Sequence, residues 1–214
     1  MENKKIIVFF ILTLLVFFLF SKEIGVVKSS KGYVFQMEKE EKEPLKKGDI
    51  IKDSFNIFLD KFSLLDFVLI DGKSEISIFG ESEFSTNIFE LSDRSIFRLN
   101  LNYGNFFFKT YQENVQLKIF DTFIFSDSSS FFVDLTDSIA KISILYCKDF
   151  EVENEYGKIN GLKNEQIIIR KNENPYKVES KKEVYKPQTF NDKNIIEIEF
   201  ENYKNDTIYV YIEN

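Results

Sequence analysis

From Ile24 onward the apolar residues recur at every second position and are interrupted at short intervals by Gly, Asn, Asp and Ser, which is the periodicity of half-buried β-strands. Val26–Lys31 and Tyr33–Met37 read as two strands joined at Gly32. A charged stretch, Glu38 to Lys47, reads as a solvated loop broken by Pro44. Phe67–Ile70 and Glu75–Phe79 flank Asp71-Gly72, the strongest hairpin signal in the chain, because Asp-Gly supplies the positive φ such turns need. Further strands are expected at 96–101, 105–111, 115–119, 122–125, 130–135, 140–146, 150–153 and 166–170. Asp53 to Leu65 fits neither the helical nor the strand period. From Lys171 to Asn191 the chain turns polar and carries Pro175 and Pro187, the composition of a linker. Beyond it, 195–200 and 207–212 alternate again and form a last hairpin. Ile196, Ile198 and Phe200 share one face, as do Ile208, Val210 and Ile212, so this hairpin needs a surface to pack on.

The first residues follow a different rule. Met1 to Lys5 is a positive stub, and Ile6 to Phe20 is apolar apart from Thr13. Fifteen helical residues reach about 22 Å, short of the roughly 30 Å of hydrocarbon, which suits the core of a signal sequence. A cut after Ser21 would place Leu19 where a small side chain is expected, and no Ala-x-Ala pattern stands nearby. With Lys4, Lys5 and Lys22 snorkelling to the two interfaces, the run can instead stay as an uncleaved anchor in a thinned bilayer. Either way the positive stub keeps the N-terminus inside and residues 23 onward outside the cytoplasm. The expected organisation is therefore 1–22 signal peptide or membrane anchor, 23–170 β domain, 171–191 polar linker and 192–214 terminal hairpin. The expected location is the inner membrane with the β domain in the periplasm, or the periplasm itself if the N-terminus is removed.

Composition narrows the chemistry. The 214 residues include 28 Lys+Arg against 35 Asp+Glu, net charge −7, with no His, no Trp and one Cys. Without His there is no imidazole base, metal ligand or proton shuttle. A single Cys147 makes neither an internal disulfide nor a zinc site, and its place in Ile142–Cys147 reads as a small buried hydrophobe. An acidic chain whose only arginines are Arg94, Arg98 and Arg170 does not suit nucleic acid. What remains is a carboxylate pair, a Ser-Lys dyad or an oxygen-ligand metal site. Asp121, Asp127, Asp134 and Asp137, with Ser126 and Ser128–Ser130 among them, are the one crowd of such groups. Their spacing matches no calcium loop, and Asp/Ser mixtures make turns between strands. Asp49 and Asp71 read in the same way, as turn caps. No catalytic, cofactor-binding or metal-binding residue is assigned.

The order of the turns carries a resemblance. Gly25-Val-Val, Gly32-Tyr-Val, Leu45-Lys-Lys-Gly48-Asp49-Ile-Ile, Leu69-Ile-Asp71-Gly72-Lys-Ser-Glu-Ile-Ser-Ile78, Leu99-Asn-Leu-Asn-Tyr-Gly104-Asn-Phe106 and Leu162-Lys-Asn-Glu-Gln166 together resemble the FecR domain family. Ser129-Ser130 and Cys147 stand where the family tends to carry Gly-Thr and a turn glycine. The resemblance implies an extracytoplasmic, all-β, non-enzymatic module, a short-stranded β-sandwich or short β-solenoid. In the family a cytoplasmic segment regulates a sigma factor. Met1 to Lys5 is too short for that, so the regulator role is not expected in its usual form.

The aromatic load adds one more expectation. Phe106–Phe108, Phe123, Phe125, Phe131 and Phe132 lie in neighbouring strands, and adjacent pairs cannot all face one core. Either both faces are covered or one shows an apolar patch to a partner. The expected function is thus a cell-envelope protein-protein interaction or scaffold module. The alternatives are a signalling subunit coupled to a membrane partner, and a hydrolase built on a carboxylate pair.

Overall fold

The computed structural model describes residues 22–39, 41–90, 95–111 and 115–178, and the backbone of 194–199 and 207–212. The N-terminal stub and apolar run, with Lys4 and Lys5, lie outside the described residues. Among the described residues no helix is long and apolar enough to cross a membrane. The chain divides into two units, Met1–Val178 and Glu179–Asn214.

The first unit is all-β. Its leading strands are β1 Glu23–Lys31, β2 Val34–Glu38, β3 Glu41–Pro44, β4 Ile50–Lys52, β5 Asn56–Leu59 and β6 Leu64–Leu69, followed by the long strands β7 Glu75–Glu90 and β8 Ser95–Thr110. Then come β9 Val115–Ile119, β10 Thr122–Asp127, β11 Ser129–Leu135, β12 Ile139–Tyr146, β13 Asp149–Asn154, β14 Gly157–Asn160, β15 Gln166–Arg170 and β16 Tyr176–Val178. All belong to one hydrogen-bonded sheet of sixteen strands, and that sheet is folded over into two layers.

The fold-over is made by β7 and β8. Residues 75–79 of β7 pair with β6, whereas 82–85 pair with β5. Residues 104–110 of β8 pair with β11, whereas 97–101 run parallel to β9. Each long strand therefore serves the first layer with one half and the second layer with the other. The first layer runs β4-β1-β6-β7-β8-β11-β12-β15-β16 and the second β3-β2-β5-β7-β8-β9-β10-β13-β14. The bend falls where the β7–β8 register slips between Phe79 and Glu83. Opposite the slip stands Gly104 at φ 122°, and a Cβ there would collide with the Ser82 side chain. No residue but glycine fits that corner.

Alternation then aims one set of side chains between the layers. Leu65, Phe67, Ile76, Ile78, Phe106, Phe108, Phe131 and Ile142 face inward from the first layer, and Ile57, Phe84, Leu99, Leu117, Ile124, Phe150 and Val152 from the second, all buried in one cluster. Ring contacts join the layers: Phe67–Phe84 with centroids 6.1 Å apart, Phe84–Phe106 edge-on at 6.0 Å, and Phe131–Phe150 edge-on at 4.9 Å. The expected alternatives are thereby decided for a sandwich. A solenoid stacks parallel strands, and β8–β9 is parallel while the other described pairs are antiparallel.

Five expectations need correction. The strands are not uniformly short, since β7 and β8 each run for 16 residues; Gly80 and Gly104 mark bends within strands, not ends. Glu41–Pro44 is a strand, exposed along its length, because at a sheet edge charges and a proline cost no core contact. Asp53–Leu65 holds β5, a turn and the start of β6. Tyr176–Val178, inside the expected linker, pairs with β15. Cys147 is half-buried instead of fully buried; its Sγ lies 3.6 Å from the Gly161 carbonyl, and burial pushes the thiol pKa up, aided by Glu165 and Asp149.

In the second unit the expected hairpin is present as β17 Asn194–Glu199 and β18 Thr207–Ile212, antiparallel with Ile196 opposite Val210 and Ile198 opposite Ile208.

Candidate functional site

The near end of the sandwich, where β1 begins, carries the Ser/Asp crowd. Thr110, Ser126, Asp127 and Ser129 are all buried there. The Thr110 hydroxyl lies 3.0 Å from Ser129 Oγ and 3.3 Å from Ser126 Oγ, and it also accepts from the Ser129 N–H at 3.3 Å. Asp127 accepts from Lys148 Nζ at 2.5 Å and from Ser128 Oγ at 2.9 Å. The Lys148 hydrogen bond holds the Asp127 carboxyl below its ordinary value. Lys148 is paired with Asp127 and largely exposed, so it is not the desolvated lysine that a Ser-Lys dyad needs. These groups satisfy one another and close the end of the core.

The other aspartates are elsewhere. Asp121 sits at the opposite end of β10 with a side-chain oxygen 3.5 Å from the Thr122 hydroxyl, Asp134 is 3.8 Å from Lys141, and Asp137 lies in the exposed β11–β12 turn. Among the described residues no three acidic or thiol groups come together as metal ligands. Asp49 and Asp71 cap their turns as expected. Asp49 accepts from the Lys46 N–H at 2.7 Å, and Asp71 accepts from the N–H groups of Lys73 and Ser74, each at 2.8 Å.

The far end is built differently. Here the β1–β2 and β5–β6 turns lie side by side, tied by a hydrogen bond from the Asp60 N–H to the Tyr33 carbonyl at 3.1 Å. Ser63 Oγ accepts from the Tyr33 N–H at 2.8 Å and lies 2.7 Å from Asp60 Oδ1, which also accepts from the Phe62 N–H at 3.1 Å. Gly32, at φ 78°, lets the β1–β2 turn approach closely, since a Cβ there would stand 2.5 Å from Ser63 Oγ. On this fixed scaffold Tyr33 is 76% exposed and Phe62 86% exposed, the highest values among the exposed large hydrophobics of the described residues. Sequence reading passed over both residues. The available signal was an aromatic side chain in each of two turns, where polar residues are the rule, beside an Asp-x-x-Ser pattern at Asp60–Ser63.

The adjacent phenylalanines divide as alternation requires. Phe106, Phe108 and Phe131 are buried between the layers, while Phe107 and Phe132 point outward and lie against each other at 4.7 Å. Phe123 and Phe125 point outward from the second layer.

No family model matches the chain, and no curated protein does. Two solved structures are similar to it. Both are crystal structures, at 1.65 and 2.50 Å resolution, of a "putative anti-sigma factor" from Parabacteroides distasonis. Each has a TM-score of 0.47 and 19% identity, with 57% of this chain and 58% of that chain covered. The chain thus spans less than two thirds of the length of the structures it is similar to.

Proposed function

We propose that this chain is an extracytoplasmic, FecR-like interaction module that binds an envelope protein through the far end of its sandwich and does no chemistry of its own. The carrying observation is the pair Tyr33 and Phe62, left in solvent on turns fixed by Asp60, Ser63 and Gly32. Large aromatics in water are unfavourable, and a preorganised pair of them is what a protein interface uses as its anchor. Burying both against a partner contributes on the order of 3–6 kcal/mol.

The reading includes location. Residues 6–20 hold the chain at the inner membrane, and β1 starts at Glu23 on the end opposite Tyr33. Nine residues of strand set the aromatic pair about 30 Å from that start. The test is photocrosslinking in living cells of the full-length protein with a photoreactive phenylalanine at 33, at 62 and, as control, at 158. One discrete envelope protein captured from both 33 and 62 but not from 158 is the expected result. Capture from 158 alone, or from none of the three, would overturn the binding surface. Mass spectrometry of the captured chain tests the anchor independently, since an intact N-terminus is expected and a mature end near Lys22 would refute it.

A further inference from the structure

A different region, the outer face of the second layer, carries cations with no acidic partner. Asn87, Arg98, Gln116 and Phe125 stand opposite one another across β7, β8, β9 and β10 and so form one row on that face. The next row brings Asn100, Lys118 and Phe123 together in the same way. Arg98 donates from Nε to Gln116 Oε1 at 2.5 Å, and its guanidinium lies between two rings, 4.0 Å from the centroid of Phe89 and 5.1 Å from that of Phe123. Lys118 Nζ is 5.8 Å from the Phe123 centroid. Phe125 follows at 6.5 Å from Phe123, with 39% of its surface exposed.

Among the described residues neither Arg98 nor Lys118 meets a carboxylate. Elsewhere Lys28, Lys148, Lys158 and Lys177 each pair with a carboxylate. Arg98 uses one of its five N–H groups, leaving the two Nη groups, the fork that grips a carboxylate, without a partner among the described residues. The rings hold that fork in place and partly strip it of water, and burial lowers its pKa while it stays charged. The rows continue on β13 to Glu151, opposite Phe125 and answered by Lys158 at 2.6 Å, and to Glu153, opposite Phe123, so it is the Arg98 fork itself that calls for a ligand with carboxylate geometry.

The setting chooses among carboxylates. β8, β9 and β10 are interior strands whose backbone groups are paired on both sides, so an extended acidic peptide laid here would leave its own N–H and C=O groups unmatched; strand addition needs an edge. A sugar ring has no such requirement. It needs an aromatic face to stack on and amides or hydroxyls for its own hydroxyls, and Phe125, Asn87, Asn100 and Ser85, the last bonded to Asn100 at 3.0 Å, supply these. We infer that the outer face of the second layer binds a carboxylated polysaccharide, a uronic-acid chain, with a carboxylate on the Arg98 fork and a ring on Phe125. Arg98 and Phe125 are two interstrand spacings apart, about 10 Å, so the glycan crosses the strands and contacts both.

The experiment is titration calorimetry of the full-length protein in detergent with a β-1,4-linked hexamer of mannuronic acid, alongside the neutral mannohexaose and a hexaglutamate peptide. The expected result is binding of the hexauronate that is at least tenfold tighter than that of either control. R98Q and F125A should each weaken it at least tenfold, and R98K should keep part of it. If R98Q fails to fold by circular dichroism, K118Q takes its place with an expected loss of severalfold. Absence of hexauronate binding, equal binding of mannohexaose, or full binding by both variants would overturn the inference. Hexaglutamate binding as tightly would reassign the face to acidic peptides. Because Tyr33 and Phe62 lie elsewhere, Y33A with F62A should leave this titration unchanged, which separates its failure from failure of the far-end reading.

Discussion

The two ends of the sandwich use the same small polar residues for opposite purposes. At the near end Thr110, Ser126 and Ser129 are buried and bond to one another, and Asp127 is closed off by Lys148 and Ser128, so no group is left over for a ligand. At the far end Asp60 and Ser63 bond to turn backbone and to each other, and the side chains left over are aromatic. A crowd of Asp and Ser in the sequence therefore marks a satisfied core boundary. Availability for a partner is marked by what those residues leave exposed.

The comparison breaks first at the corner that both ends depend on. Gly104→Ala should cost on the order of 3 kcal/mol or abolish folding, because the new Cβ meets Ser82 at a φ of 122°. Urea denaturation measures it, and a loss under about 1 kcal/mol would mean that the fold-over is not fixed there. Next, Thr110→Val should cost about 1–3 kcal/mol, since it strands two buried serine hydroxyls.

Acid response sharpens the contrast by sign. Asp127 has a folded pKa below 3.8, so its ion pair adds stability above that value and loses it as pH falls through the folded pKa. Asp127→Asn should be less stable than the parent at neutral pH, and the gap should close on acidification. Asp66 is the opposite case. Burial raises its pKa above 3.8, partly offset by the Ser77 hydrogen bond, so its contribution is full below the unfolded value and falls as pH rises through the folded pKa. Asp66→Asn should therefore stabilise at pH 7 and lose that advantage in acid; thermal melts from pH 3 to 8 check both signs. The smallest effect belongs to the far end. Tyr33→Ala and Phe62→Ala should each change stability by less than about 0.5 kcal/mol while abolishing the crosslinked partner, and a larger loss would show that the pair supports the fold.

Much of the architecture was legible. Alternation placed β9, β11, β12, β15, β17 and β18 within a residue or two, and Asp71-Gly72 marked its turn, because these depend on contacts between near neighbours in sequence. The strand at Glu41–Pro44 was hidden by its charges, which an edge tolerates and an interior strand does not. Segment 80–90 was unassigned, although with Glu75–Phe79 it forms one long strand whose register slips between Phe79 and Glu83. Of the candidate sites, the Asp and Ser residues were found and their satisfaction was not, since Lys148 reaches Asp127 from 21 residues away. Tyr33 and Phe62 look in sequence like core aromatics.

By itself the sequence determined the all-β class, most strand positions and the turn caps, for each is set by period, local hydrogen bonding or composition over a few residues. Only the tertiary structure decided the fold-over at Gly104 and Ser82, which side of each strand meets the other layer, the closing of the near end, and the isolation of Arg98 from every described carboxylate. Those depend on residues brought together across long stretches of chain, and alternation fixes which side chains share a face without fixing what that face will meet.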